Sequence, residues 1–199
     1  MNITKNIIAP LLTVAALATF AAFVPIAALA ADVGGVKVDD KATVGGQDLV
    51  LNGAGMRTRL VFKVYVGALY VPQKTTNVAD VVGKNQPRRM TLILQRDVSA
   101  DQLLEALRAG LAENNSQADL DRIKGQVAEF STIFKTVGEA KAGQVIQIDY
   151  TPAEGTRILL DGASKGTIAG EPFNKALLMT WIGDRPVQES LKKAMLGTP

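Results

Sequence analysis

NGAGMRTRLVFKVYVGALYV, residues 52–71, is the stretch around which we expect the fold to be organised. Its first half is punctuated by glycines, which allow sharp bends of the backbone, and it predicts a turn that carries Arg57. Its second half is rich in β-branched and aromatic residues and predicts a strand over residues 60–71, which Pro72 ends.

The predicted strand has two different faces, because side chains alternate across a strand. The apolar face should pack against the core and consists of Leu60, Phe62, Val64, Val66, Ala68 and Tyr70. The mixed face consists of Arg59, Val61, Lys63, Tyr65, Gly67 and Leu69, with Arg57 on the same side in a regular strand. Cations beside a phenol favour either a solvated surface or the wall of a polar cleft that stabilises an oxyanion.

The first thirty residues predict a secretory signal peptide. Lys5 precedes an apolar run over residues 7–29, and Ala28-Leu29-Ala30 fits a small-x-small cleavage site. We therefore expect residues 31–199 to be exported to the periplasm as a single domain that does not associate with a membrane after cleavage. Because the apolar run is long for a signal peptide, an uncleaved membrane anchor is the competing interpretation.

Composition excludes several classes of site. The chain contains no cysteine and no histidine, so a disulfide, a Ser-His-Asp triad, a Cys-His dyad and a His-containing metal site are all excluded. Without Lys5 the chain has 21 Lys and Arg and 19 Asp and Glu, a formal balance of +2, and the basic residues are scattered. This balance argues against nucleic acid or an anionic membrane as a partner. We expect no cofactor and no metal.

The element order predicts an α+β fold. Further strands are predicted at residues 36–38, 49–52, 89–95, 144–151, 156–161 and 165–169, and helices at residues 78–82, 99–115, 118–135, 172–183 and from 186 onward. Ser99 and Gln102 form a capping-box pattern at the first long helix. Few strands are separated by single crossover helices, so the sheet should be mainly antiparallel.

For two residues the sequence pattern leaves two interpretations open. Arg57 is either a loop arginine paired with a surface acid or a clamp for a carboxylate or a polarised carbonyl. Thr180 lies beside Trp181 on the apolar stripe of a predicted helix. Its hydroxyl either donates to an earlier carbonyl of its own helix or contacts a ligand.

Several short motifs occur in a fixed order over residues 36–197: GAGMR, VGALYV, RMTLIL leading to RDVSADQL, GTIAGEPF and TWIGDRPVQESLKKAMLG. Together they resemble the exported bacterial branch of the chalcone-isomerase-like family. The resemblance implies an open-faced α+β sandwich, in which helices cover one face of a mainly antiparallel sheet. It also implies a ligand cleft between the two layers.

The resemblance implies roles for individual residues. Plant enzymes of this family close a chalcone into a flavanone with an arginine, a strand threonine, a tyrosine near a helix start and a late threonine. A sister branch in plastids binds fatty acids and performs no chemistry. By this resemblance Arg57 takes the place of the arginine, and Thr180 takes the place of the late threonine.

The groups that activate the ketone are replaced. Val64 stands where the strand threonine is expected, and Asp101 or Gln102 stands where the tyrosine is expected. Lys63 or Tyr65 would have to substitute for them. An anion site without these partners fits a binding protein better than a cyclase.

Three hypotheses follow. The leading one is a non-catalytic protein that binds a small amphipathic carboxylate or phenolate, such as a fatty or aromatic acid, through Arg57, Lys63, Tyr65 and Thr180. The alternative is an isomerase, an intramolecular lyase of the chalcone isomerase type that acts on an enone. The third is an envelope protein-interaction module, for which we expect a collapsed cleft around Arg57 and an exposed apolar patch elsewhere.

Overall fold

The computed structural model of the protein describes residues 30–198. The strands of this part are β1 (Ala30–Val33), β2 (Val36–Asp39), β3 (Lys41–Val44), β4 (Gln47–Arg59), β5 (Phe62–Val71), β6 (Arg88–Leu94), β7 (Val98–Ser99), β8 (Glu139–Ala140), β9 (Val145–Thr151), β10 (Gly155–Leu160) and β11 (Ala163–Ile168). The helices are α1 (Val78–Val82), α2 (Ala100–Asn114), α3 (Gln117–Val137), α4 (Glu171–Ile182) and α5 (Glu189–Met195).

Seven strands form one antiparallel sheet in the order β11-β10-β9-β6-β5-β4-β3. The main core lies between one face of this sheet and the helices, where Phe130, Phe173 and Leu177 pack against strand residues such as Leu69 and Ile148. The predicted α+β fold with a mainly antiparallel sheet is therefore confirmed.

Both faces of β5 are buried from Tyr65 onward, so the apolar face is buried as predicted at Val66, Ala68 and Tyr70, and the expectation of a mixed, polar opposite face was wrong there. Tyr65 and Leu69, which were assigned to the mixed face, lie in the main core. Val66, Ala68 and Tyr70 instead face a smaller core that side chains of β2, β3 and β4 complete on the other side of the sheet. Alternation did not distinguish the two faces because this part of the strand is apolar on both sides.

The start of the predicted strand was also wrong. Leu60 and Val61 form the turn between β4 and β5, and Leu60 and Phe62 are 91% and 58% exposed instead of buried in the core. The hairpin register places Arg59 opposite Phe62. The end of the strand at Val71, before Pro72, is confirmed.

The glycine-rich segment is not a turn, because it lies inside β4. A Cβ on Gly53 would lie 2.0 Å from the carbonyl oxygen of Ala194, and a Cβ on Gly55 would lie 2.7 Å from the Cβ of Ala194. The glycines therefore serve the close approach of α5 to the strand. Asn52 fixes this contact, since its Nδ2 donates to the Met195 carbonyl at 2.7 Å.

The helix boundaries follow the predicted signals with one exception. Ser99 and Gln102 make both hydrogen bonds of the capping box, each at 3.2 Å. The last helix was predicted from residue 186, but α5 begins at Glu189. The preceding Gln188 is extended, and the Val187 amide donates to the Thr180 carbonyl at 2.9 Å.

The predicted signal peptide lies outside the described residues except for Ala30, which begins β1. Within residues 30–198, no helix has both the length and the apolar character needed to cross a bilayer.

Candidate functional site

A cleft of about 410 Å³ opens between the β4–β5 hairpin, α2 and the segment that precedes α5. A second, apolar space of about 60 Å³, called here the inner cavity, lies between the sheet and helices α2, α3 and α4. Tyr65, Leu103, Ala106 and Val187 line both spaces. The cleft is therefore the outer part of a hollow whose inner end lies in the main core.

Arg57 lies half-buried on the wall of the cleft. Its Nη1 donates to the Gln188 side-chain oxygen at 3.2 Å and to the backbone oxygen of Thr58. Within residues 30–198 no carboxylate lies within ion-pairing distance of Arg57. The structure thus holds this guanidinium with neutral acceptors, and the acid-paired alternative is not found there.

Gln188 fixes the position of Arg57, and no sequence pattern indicates this role. Its side-chain oxygen accepts from the Thr58 amide at 2.9 Å, while its Nε2 donates to the Met56 carbonyl at 3.1 Å and to Ser190 Oγ at 2.7 Å. A single glutamine before a short helix has no distinguishing pattern. Its contacts join the end of β4 to the start of α5.

Tyr65 lies at the junction of the cleft and the inner cavity and is 8% exposed. Trp181 Nε1 donates to the Tyr65 hydroxyl oxygen at 2.9 Å. Burial raises the pKa of the Tyr65 phenol, although the hydrogen bond from Trp181 and the charge of Arg57 act in the opposite direction. The protonated phenol can therefore donate to a ligand oxygen.

Thr180 lines the inner cavity and is 2% exposed. Its Oγ1 has no hydrogen-bond partner within the described part of the chain, so it does not donate to its own helix as a buried threonine usually does. The side chain packs against α2, where a Cβ on Gly110 would lie 2.3 Å from the Thr180 Cγ2. A buried hydroxyl without a partner is unfavourable, and it would gain from a ligand acceptor.

Lys63 does not join the other candidates. The strand pairing places Arg57 opposite Tyr65 but Thr58 opposite Lys63, so Val64 is an extra residue in a bulge. This bulge puts Lys63 on the other side of the sheet, where its Nζ lies near Gly34 of the β1–β2 turn. The expectation that Lys63 shares a face with Arg57 and Tyr65 was therefore wrong.

Three further arginines line the cleft. Arg59 was already placed on the mixed face of the predicted strand, whereas Arg96 and Arg185 come from separate segments that no sequence pattern joins. Arg185 pairs with Glu113 at 3.1 Å, and Glu105 also lines the cleft. The cleft wall therefore carries more basic than acidic side chains.

The positions at which the family resemblance expects ketone-activating groups lie near the cleft. Val64 and Gln102 line its wall, whereas Asp101 does not. The valine offers no hydroxyl to a substrate carbonyl. Within residues 30–198 no cluster of three or more acidic side chains could hold a metal ion.

Comparisons with known proteins agree with the fold. A fatty-acid binding protein of Arabidopsis thaliana has a similar solved structure, with a TM-score of 0.64 and 14% identity over 81% of this chain and 92% of that chain. No curated protein matches this chain by sequence. The chalcone isomerase-like family matches residues 30–197, which confirms the resemblance that the motifs carry. The chain therefore belongs to the chalcone isomerase-like family.

Proposed function

We propose that this protein binds a small amphipathic carboxylate or phenolate in the cleft and performs no chemistry on it. The observation that carries the proposal is Arg57, a half-buried cation without an acidic partner in the described part, on the wall of a cleft that adjoins an apolar cavity. An arginine in this setting favours an anion, because charge-assisted hydrogen bonds to a carboxylate are strong. The proposal places this activity in the periplasm on the basis of the predicted signal peptide.

The inner cavity supports a second polar contact and an apolar one. Tyr65 and Thr180 offer hydroxyl groups at its wall, and Leu103, Phe130 and Phe134 supply apolar surface. The cleft volume lies within the range of roughly 300–1,000 Å³ that is usual for small-molecule sites. The inner cavity, at about 60 Å³, is much smaller than the cleft, which favours a medium-chain or single-ring acid over a long fatty chain.

Two observations favour binding over catalysis. By the family resemblance, Val64 and either Asp101 or Gln102 stand where the plant enzymes would activate a ketone. One solved structure with a similar fold is that of a fatty-acid binding protein. The open cleft beside Arg57 also disfavours the interaction-module hypothesis, which expects that cleft to be collapsed.

The test is a ligand titration of purified protein with decanoate, cinnamate and the neutral analogue decanol, followed by Trp181 fluorescence and thermal unfolding. We expect the acids, but not the alcohol, to raise the melting temperature and change the emission. Arg57→Ala should weaken acid binding roughly tenfold to a hundredfold, since it removes hydrogen bonds to a charged group. Lys63→Ala, which removes a cation outside the cleft, should bind like the wild type.

Thr180→Val separates binding from stability. Replacing the unpartnered hydroxyl by a methyl group should leave the unliganded protein equally stable or stabilise it by about 1 kcal/mol, while acid binding weakens.

Equal affinity of Arg57→Ala and the wild type for the acids would contradict the proposal. Loss of chalcone absorbance above background, abolished by Arg57→Ala, would instead support the isomerase.

A further inference from the structure

Three consecutive apolar side chains protrude from the end of the β4–β5 hairpin. Leu60, Val61 and Phe62, called here the tip, are 91%, 86% and 58% exposed. They are the only large hydrophobic side chains of residues 30–198 that are exposed. Scattered single apolar residues are normal on protein surfaces, whereas a group of adjacent ones indicates an interaction site.

The turn itself does not require these residues. Leu60 has a φ of +56°, a left-handed conformation that favours glycine, and Val61 does not share a positive φ. A positive φ at the first loop position only is the type II′ pattern, in which glycine is preferred there. Leucine at this position therefore costs stability, and the geometry of the turn gives no reason for it.

The other two-residue hairpin turns of the described chain show the contrast. They are Gly34-Gly35, Gly45-Gly46 and Asp161-Gly162, and each uses residues that tolerate a positive φ. The β4–β5 turn alone among these four carries two large aliphatic side chains.

Basic residues surround the tip. Arg59 and the exposed Lys63 flank it directly. The adjoining cleft adds Arg57, Arg96 and Arg185, against the two acids Glu105 and Glu113. One of these acids, Glu113, is already paired with Arg185. The formal net charge of the whole chain does not show this local excess of basic side chains, because acidic side chains elsewhere offset it.

We propose that the tip inserts into the interface of a membrane that contains anionic lipid and docks the protein there peripherally. Apolar side chains gain free energy when they leave water for the boundary between headgroups and acyl chains. Lysine and arginine beside them remain at the headgroups and are attracted to anionic lipid. A convex apolar tip among mainly basic side chains fits this surface better than a protein partner of unspecified charge.

The docking does not depend on the ligand proposed above. Arg59 lies both beside the tip and on the cleft wall, so docking would bring the cleft mouth next to the bilayer. A test with vesicles and no added acid therefore fails or succeeds independently of the binding function.

The experiment is flotation of the purified protein with vesicles of phosphatidylcholine alone and of phosphatidylcholine mixed with phosphatidylglycerol. We expect binding to the mixed vesicles, which raised salt weakens by screening. Leu60→Gly/Val61→Ser should weaken binding by about tenfold or more, because two inserted side chains are lost. Its melting temperature should equal or exceed that of the wild type, since glycine suits the turn.

Charge variants provide the matched control. Lys63→Gln should weaken vesicle binding several-fold, whereas Lys165→Gln, on the exposed edge strand β11, should not change it. Val61→Glu places an acid on the tip without changing the residue of positive φ, and it should abolish binding.

Failure of the wild-type protein to bind the mixed vesicles would overturn the proposal. Self-association of the wild type, detected by sedimentation and lost in Leu60→Gly/Val61→Ser, would then assign the tip to a second copy of the chain. Unchanged vesicle binding of a folded Val61→Glu variant would also overturn it.

Discussion

Gly53→Ala should lower the free energy of unfolding by about 3 kcal/mol. The added Cβ would lie 2.0 Å from the Ala194 carbonyl oxygen and 2.9 Å from the Met195 carbonyl oxygen. Both are backbone atoms, so no change of side-chain rotamer relieves the clash, and α5 must move away from β4. Urea unfolding followed by Trp181 fluorescence measures the loss.

Gly125→Ala is the matched control. Gly125 is exposed inside α3, and a Cβ there meets no atom within 4 Å. Alanine has the higher helix propensity, so this variant should gain about 1 kcal/mol. If Gly53→Ala had the same free energy of unfolding as the wild type, α5 would not pack closely against β4. Because Gln188 joins α5 to Arg57, Gly53→Ala should also weaken binding of the acids proposed above.

Asp149→Ala should cost about 3–5 kcal/mol, because it removes one partner of a buried ion pair. Asp149 is 2% exposed, and its Oδ2 accepts from Arg89 Nη2 at 2.7 Å. Arg157 approaches the same oxygen at 3.8 Å. The three residues lie opposite one another on β6, β9 and β10, so the carboxylate joins neighbouring strands.

Two further variants distinguish the cost of leaving a buried charge unpaired from the cost of losing an ion-pair contact. Arg89→Met/Asp149→Leu should recover much of the stability, because it removes both charges of the close pair and leaves only Arg157, which also lies 3.8 Å from Glu154. Lys84→Ala, which breaks the exposed pair with Asp80 at 3.9 Å, should change stability by less than about 0.5 kcal/mol. Urea unfolding of all three variants makes the comparison, and equal losses for Asp149→Ala and Lys84→Ala would contradict the prediction.

Local signals predicted the parts of the fold that local chemistry determines. The capping box at Ser99, the helix end at Gly183 and the turn at Asp161-Gly162 each depend on residues a few positions apart. The short motifs identified the family, and the order of elements predicted the fold class. The caps and turns can be read from sequence because each involves residues only a few positions apart.

Features that depend on distant segments were missed or misassigned. The glycines of β4 are explained only by α5, more than a hundred residues later, whereas their local pattern predicts a turn. The bulge at Val64 separates Lys63 from Tyr65, although regular alternation places them together. The site likewise depends on Gln188, whose role arises from contacts with β4 that no local pattern indicates.

The junction between β6 and β9 has a consequence for folding kinetics. These strands are neighbours in the sheet, but α2 and α3 lie between them in the chain, and 60 positions separate Arg89 from Asp149. The strands on either side, β3 to β6 and β9 to β11, pair with their chain neighbours. Closing a long loop costs more entropy than forming a hairpin, so we expect the two half-sheets to form first and to join late.

Asp149→Ala should then accelerate unfolding and leave the refolding rate nearly unchanged, because its contacts with Arg89 form after the transition state. Stopped-flow measurements in urea test this, and a slowed refolding rate would contradict it. Until the two half-sheets join, the edges of β6 and β9 remain unpaired. Those edges are where we expect a partly folded chain to aggregate with another copy.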